Sequence, residues 1–588
     1  MHLLILYGSQ TGTAQDVAEQ IWRSSKKYNF EGPVLPMDEF PIQKLTEQSL
    51  VIFVVATTGD GDVPDNMLNS WKLLLRRSLP SNLLENLQYA CLGLGDSSYV
   101  KFNYAAKKLS KRLQQLGAKQ VIPLGLCDDQ HDHGLSAVAL PWMKQLWQQI
   151  ENDLGVKPKS VNGFESDSTI FRWHCKKIDE MKKDCKNPSE LHCRFWQSKD
   201  EPHKLILKGN IRTTNEQHFQ DVRLLEFITP EDLYWAPGDV LQVQAQNSEK
   251  QVEDFFTWAE EHHLNFTPDT VVEITSNYSD MPLPKCYRQP ITVREMATYV
   301  WDLSYRPRQR AFELLALNCD NELEKEKLYE FCTAEGLDDL INYINRPRRT
   351  ILEVLQDFRH ASSKLNLNTL IELFTFIQPR SFSIASCKES GQLDLLVAVV
   401  EYKTKLSAPR LGLCSNWLKS LSKGAQIHAS IKPGTLKLPQ NIATPIIVVG
   451  PGTGIAPFRS IIQSFYMKRA GNVCTEPNIT VFFGCRNKSK DFHFQEDLEK
   501  WAAEKFIRLY CAFSRDQENK VYVQHLIEEN AQLLKPLILT NQACIYVSGS
   551  SKNMPKSVKE AFVKVLDNDE STVEQLIKTR RYQEETWS

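Results

Sequence analysis

The sequence predicts a multidomain α/β protein: a doubly wound parallel sheet, then an antiparallel β-barrel with a helical insert, then a second parallel sheet. Three observations carry this. Residues 1–150 alternate short apolar strands with amphipathic helices, residues after Pro202 turn to strand patterns broken by helical spacing, and strands and helices alternate again beyond Thr444. Alternating strands and helices pack as a parallel sheet with covered faces, and such sheets bind ligands at the carboxyl ends of their strands. The chain has 588 residues, too many for one core, and divides into roughly three or four domains.

In residues 1–150 the expected strands are Leu3–Tyr7, Leu50–Ala56, Tyr89–Leu94 and Val121–Leu124, each ending in a loop rich in Gly, Thr or Asp. Residues 151–199 dissolve into Lys, Asp, Ser and Asn with little periodicity and read as a linker. The barrel occupies 200–441, with strand texture at His203–Ile211, Asp239–Gln244, Arg380–Ile384 and Leu393–Tyr402. Its insert, about 250–375, has helical spacing; Ile351, Leu352, Leu355 and Phe358 share one face. Residues 442–588 supply strands Ile446–Val449, Ile479–Phe483 and Cys544–Val547.

Composition excludes several function classes. The net charge of −2 gives no global reason to expect nucleic acid or an anionic membrane as partner. Apolar runs such as Val51–Ala56 and Pro445–Val449 are strand-length, far short of the ~20 residues of a membrane span. The opening Met1–Tyr7 lacks a basic region and reads as a buried strand, not a signal peptide. The 14 cysteines form no CxxC pair or zinc-type spacing, so they read as reduced thiols of a cytosolic protein. His131 and His133 lack a third ligand and read as solvated loop residues, so no metal is expected.

The first chemistry sits at Ser9, Gln10, Thr11, Gly12, Thr13 and Ala14, between a strand and a helix. A phosphate there meets backbone N–H groups, hydroxyls and the positive end of a helix dipole. The run has no Lys, so it suits a phosphate that is held, not transferred; a plain hydroxyl-rich helix cap has the same appearance. Two further loops end neighbouring strands: Ala56, Thr57, Thr58 and Gly59, and Leu94, Gly95, Asp96, Ser97, Ser98, Tyr99, Val100, Lys101, Phe102 and Asn103. Tyr99 offers an aromatic face, and the glycines admit a flat ring close to backbone. Together the three loops resemble those of flavodoxins. That resemblance implies FMN and adds Asp129 as the acid of the last loop.

Farther on, Arg380, Ser381, Phe382 and Ser383 open a strand, and Gly412, Leu413, Cys414 and Ser415 head a helix. An Arg and a helix-capping Gly turn suit one pyrophosphate. After a strand, Val449-Gly-Pro-Gly-Thr-Gly-Ile-Ala-Pro-Phe-Arg459 departs from the dinucleotide GxGxxG at Ile455. This order resembles the ferredoxin–NADP reductase family, which implies FAD on the first two motifs and the nicotinamide nucleotide at Thr453. Phe382 stands where that family usually has Tyr. Ser514, Arg515, Lys520, Val521, Tyr522, Val523 and Gln524 bring two cations, a hydroxyl and a phenol toward a 2′-phosphate, so NADPH is preferred over NADH. A solvated charge cluster is the alternative.

The full order, flavodoxin-like module, linker, barrel with helical insert and Rossmann-like nucleotide module, resembles the diflavin reductase family over nearly the whole chain. The resemblance implies that NADPH reduces FAD, FAD reduces FMN, and FMN reduces a separate redox protein. It carries Arg348 to FAD, although Arg346, Arg348 and Arg349 also read as an exposed basic turn. It also carries Trp587 over the flavin ring and Ser383 beside the flavin N5, as an aid to hydride transfer. The short form without an anchor implies the iron–sulfur protein anamorsin as acceptor, in cytosolic iron–sulfur cluster assembly. A reductase for methionine synthase or a haem protein and a flavin-binding scaffold without turnover are the alternatives. Ser548, Ser550 and Glu585 depart from the family's usual Cys, Asp and Asp, which puts the hydride-transfer helpers in question. Asp60, Asp62, Asp65, Asp96, Asp128, Asp129 and Asp132 line the flavin loops without Lys or Arg in stretches 57–66, 92–100 and 125–134, an expected docking rim for a basic acceptor.

Overall fold

The computed structural model describes residues 1–59, 61–99, 101–158, 170–178, 194–196, 200–441, 443–469 and 478–587. The chain divides into two compact units. One comprises Met1–Asp184, Asn247–Gln378 and Thr404–Leu406; the other comprises Cys185–Gln246, Pro379–Lys403 and Ser407–Ser588.

The first unit opens with a parallel sheet in which Val34–Pro36, Leu4–Gly8, Leu50–Ala56 and Gln88–Gly95 lie side by side. Lys119–Gln120 and Gly125–Asp128 both pair with the last of these. Val51 to Val55 is completely buried, which is why the run is apolar throughout: helices cover both faces of a parallel sheet. Each such Val, Ile or Phe stabilises by about 1.5–3 kcal/mol relative to leaving it exposed. The expected strand Val121–Leu124 is not formed. Pro123 has no N–H for the ladder, and pairing resumes at Gly125, where a side chain would collide with Leu92 and Trp142.

The insert contributes helices to the same unit. Glu249–Glu261 and Ile351–Asp357 both start at capping boxes, Ser248 with Gln251 and Thr350 with Glu353, each satisfying two end N–H groups reciprocally. Ile351, Leu355 and Phe358 are buried, joined by Val354, while Leu352 is only half-buried. The stretch read as a linker does more than connect: Trp173–Ile178 forms a strand antiparallel to Val271–Ser276. Its two-residue period was present, since Trp173 and Cys175 are buried between exposed His174 and Lys176, but six residues amid polar sequence gave no visible pattern.

The second unit holds the barrel. Its antiparallel strands run Arg380–Ser383, Val240–Val243, Gln426–Lys432, His203–Arg212, Val222–Ile228 and Leu393–Ala398. A bridge from Ile384 to Leu395 joins the first and last of these, closing the sheet on itself. The same unit carries a fully parallel sheet in the order Ile507–Phe513, Ile479–Cys485, Ile446–Val449, Cys544–Ser550 and Tyr582–Trp587. Two clusters, around Phe458 and Phe483 on one face and Phe482 and Phe562 on the other, bury it. Among the described residues, no helix is long and apolar enough to cross a membrane.

Candidate functional site

In the first unit, three loops leave the carboxyl ends of neighbouring strands. Gly12 adopts φ 89° and caps helix Thr13–Lys27, a left-handed turn open to Gly without strain. The loop is braced from behind. Ser9 N donates to Asn66 Oδ1 (2.8 Å), Gly12 N to Ser9 Oγ (3.1 Å), and Gln10 exchanges bonds with the backbone and carboxylate of Asp65 (3.1 and 3.0 Å). Thr11 is exposed, Thr13 half-buried and Ala14 buried.

The second loop is a tight turn. Thr58 and Asp62 exchange backbone bonds of 3.0 and 2.8 Å around Gly59, while Thr57 Oγ1 accepts from Ala105 N at 3.2 Å. Ala56 ends its strand, half-buried. In the third loop, Asp128 Oδ1 accepts from Ser97 N (2.8 Å) and Gln130 N (3.0 Å), and Asp96 Oδ1 accepts from Ser98 N (2.8 Å). Partial burial raises the Asp128 carboxyl, but the Ser97 and Gln130 bonds outweigh it and leave the group below its ordinary value. Asp129 N donates to Gly95 O (2.9 Å), and its side chain is exposed. Leu94 is buried, and Tyr99, Lys101 and Phe102 are half-buried. Val100 and Asp60 lie outside the described residues. Asn103, at φ 54°, is completely buried; Gly93 and Gly95 leave room for it, since a Cβ on either would come within 3.0 Å of it. Its Nδ2 donates to Cys127 O (2.9 Å), while its buried Oδ1 has no partner among the described residues. His133 pairs with Asp338 of the insert at 3.0 Å.

Arg348 belongs to this first unit, exposed, with φ 53°. Of its neighbours, Arg349 is tied to Asp357 (2.7 Å) and lies 4.3 Å over the Tyr343 ring.

The other flavin and nucleotide candidates all fall in the second unit. Phe382 pairs with Leu241 across the barrel edge and packs partly on its core. Arg380 and Ser381 are exposed beside it. Burial pushes the Cys414 thiol up to about 12, opposed by the positive charge of Arg380. Gly412 N donates to Val400 O (2.9 Å), Ser415 Oγ accepts from Val400 N (3.0 Å), and a side chain on Gly412 would strike Val400. Leu413 packs against the barrel core.

The Gly-rich turn after Val449 is crowded where the sequence is small. A Cβ on Gly454 would sit 2.1 Å from Ser548 O, whereas Gly452, at φ 58°, has open space beside it. Thr453 stands between them, half-buried. Arg515 and Lys520 are exposed, with Tyr522 39% exposed, beside buried Ser514. Arg515 Nη1 donates to Ser514 O at 2.8 Å. Val523 is buried in the core and Val521 packs against it, with Gln524 half-buried in the helix Val523–Glu529; these three frame the cationic turn.

The signal least visible in sequence is Glu585. It lies on the terminal strand, opposite Ser548, and accepts from Ser383 Oγ (3.0 Å) and Thr435 Oγ1 (2.8 Å) of the barrel. Burial raises its carboxyl above the ordinary value; the bonds from Thr435 and Ser383 offset part of that. Ser548 is completely buried and its Oγ has no hydrogen-bond partner among the described residues. Trp587 ends the same strand, paired with Ser550 and 37% exposed.

The flavodoxin family model matches residues 5–142, the FAD binding domain model residues 211–417, and the oxidoreductase NAD-binding domain model residues 448–560. The chain is 42% identical to NADPH-dependent diflavin oxidoreductase 1 of Xenopus laevis, covering 100% of this chain and 99% of that one. The proteins of the same name from Bos taurus and Schizosaccharomyces pombe are 39% and 37% identical over the same shares.

Proposed function

Because the chain belongs to the NADPH-dependent diflavin oxidoreductase family, we propose that it reduces the iron–sulfur protein anamorsin in cytosolic iron–sulfur cluster assembly. The coarser activity is that of the family: an NADPH-dependent oxidoreductase with FMN, FAD and NADP sites that passes electrons to a redox-protein acceptor. When bound, NADPH supplies a hydride, FAD takes both electrons and releases them singly, and FMN delivers them to the acceptor.

The residues present fit these groups. Gly12 opens the first loop for a phosphate, Gly452 leaves space for a nucleotide, and the buried Ser548 hydroxyl has a hydrogen-bonding capacity that the described residues leave unused. In our reading the module bounds are 1–150 for FMN, 200–441 for FAD with its insert at 250–375, and 442–588 for NADPH, with 151–199 between the first two. Ser9–Ala14 holds the FMN phosphate, Ala56–Gly59 and Leu94–Asn103 flank its ring, and Asp129 closes the third loop. Arg348, Arg380–Ser383, Gly412–Ser415 and Trp587 hold FAD. Thr453, Ser514, Arg515, Lys520 and the turn through Gln524 hold NADPH.

The acceptor rests on the family resemblance, whereas the hydride-transfer part is supported by the Glu585 carboxylate, which joins Ser383 and Thr435 of the barrel to the terminal strand of the nucleotide sheet. It bonds the hydroxyl that the family resemblance assigns to hydride transfer, with Glu standing where the family usually has Asp. The test is NADPH oxidation with purified anamorsin as sole acceptor, beside ferricyanide as a general one. Reduction of both is expected. Ferricyanide turnover without anamorsin reduction overturns the acceptor and leaves methionine synthase or a haem protein to be tried; turnover with neither favours a scaffold.

A further inference from the structure

The phosphate loop Ser9–Ala14 contains no cation, yet a guanidinium reaches it from another part of the chain. Arg308, immediately before helix Gln309–Leu317 of the insert, donates from Nη2 to Thr13 Oγ1 at 2.9 Å. Its Nη1 lies 3.1 Å from Asp16 Oδ2, one turn into the helix that the loop caps. The guanidinium therefore sits within bonding distance of a loop hydroxyl at the positive end of a 15-residue helix. Gln378, also of the first unit, brings its Nε2 to 4.0 Å from the position a Cβ would take on Gly12. Among the described residues, Asp16 is the one carboxylate bonded to Arg308, and its pull on the guanidinium competes with any anion in the loop.

We propose that Arg308 of the insert is a ligand of the FMN phosphate and supplies the positive charge that the loop lacks. The inference rests on the reading of Ser9–Ala14 as the FMN phosphate site. A phosphomonoester is a dianion near neutral pH, and charge-assisted bonds from Arg to phosphate are stronger than those from neutral donors. Rotation about the Arg308 side chain, which is 44% exposed, exchanges the Thr13 hydroxyl for a phosphate oxygen without moving the backbone. Reciprocity then follows: whatever factor the seated insert adds to FMN affinity, FMN adds to the seating of the insert.

The test uses the full-length chain, stripped of flavin and titrated with FMN and with riboflavin, which lacks the phosphate. Arg308→Ala is expected to weaken FMN by about 10-fold, the low end for a bond to a charged group because the site is partly exposed. Riboflavin should bind wild type and variant alike, Arg308→Lys should recover part of the FMN loss, and the difference should shrink with salt. FMN binding unchanged in Arg308→Ala overturns the proposal, and equal losses for FMN and riboflavin overturn it in favour of a packing role. Failure of the wild-type chain to bind FMN at all overturns the phosphate-site reading, and this proposal with it.

Discussion

Arg515 stands exposed at the end of strand Ile507–Phe513, its guanidinium on the carbonyl of Ser514. A side chain held by one backbone bond is free to turn to a dianionic 2′-phosphate. Arg515→Ala should therefore weaken NADPH by about 10-fold, the lower range for a lost bond to a charged group at an exposed site, and leave NADH little changed. Inhibition constants of NADP⁺ and NAD⁺ check this; equal losses for both would remove Arg515 from 2′-phosphate recognition. Glu585 gives a pH prediction. Its carboxyl is raised by burial, with the Thr435 and Ser383 bonds opposing, so the folded chain holds this proton more tightly than the unfolded chain. Its contribution to stability is thus complete below the ordinary carboxylate pKa and is lost as pH rises through the raised value. Glu585→Gln cannot ionise. Denaturant unfolding of the variant should lack the decline with pH that wild type shows across that window, and parallel curves would contradict the assignment.

Elements are joined in the first unit by buried charge. Arg172, just before strand Trp173–Ile178, pairs with Glu19 of the helix Thr13–Lys27 and with Glu372 of Leu367–Leu373 (3.0 Å), whose carboxylate also accepts from Trp173 N. Burial opposes the charge of Arg172, but Glu19 and then Glu372 outweigh it and hold the group protonated. Nearby Arg310 is pushed down to about 10, by burial first and then by Arg23. Removing one partner leaves the other charges buried and uncompensated, which costs about 3–5 kcal/mol. Arg172→Ala should lower the unfolding free energy by that amount, read from tryptophan fluorescence in denaturant. A change below about 1 kcal/mol, within the ordinary range for exposed ion pairs, would show that the cluster is solvated in practice.

For the molecule as an electron donor, the flavin loops matter most. Asp62, Asp65, Asp129 and Asp132 are exposed, Asp65 while bonded to Gln10, and Asp96 and Asp128 brace their own loop. Of the described carboxylates of that rim, the exposed ones are those suited to meet a basic acceptor. Reduction of the acceptor should slow steeply as salt rises, since exposed charges are screened over about 8–10 Å near physiological ionic strength. Asp62→Lys with Asp132→Lys should cut the association rate while leaving NADPH-to-ferricyanide turnover less affected. Acceptor reduction that is independent of salt, at wild-type rates in the double variant, would make the rim ordinary solvated surface.

The sequence by itself determined the three-part architecture, because buried parallel strands such as Leu50–Ala56 and Ile446–Val449 must be apolar along their whole length. It also displayed the candidate phosphate turns, because Gly12, Gly412 and Gly454 occupy places where a side chain would strain the backbone or strike a neighbour. Local patterns reached as far as the helical face of Ile351, Leu355 and Phe358 and stopped where a short strand met a proline, at Pro123. What only the tertiary structure decided are pairings between distant positions: Arg308 with Thr13 across 295 residues, Arg172 with Glu372 across 200, and Ser383 with Glu585 across 202. Charged and hydroxyl side chains carry no periodicity that marks their partner. Their roles depend on which of many like residues the folded backbone brings within about 3 Å, the range of a hydrogen bond.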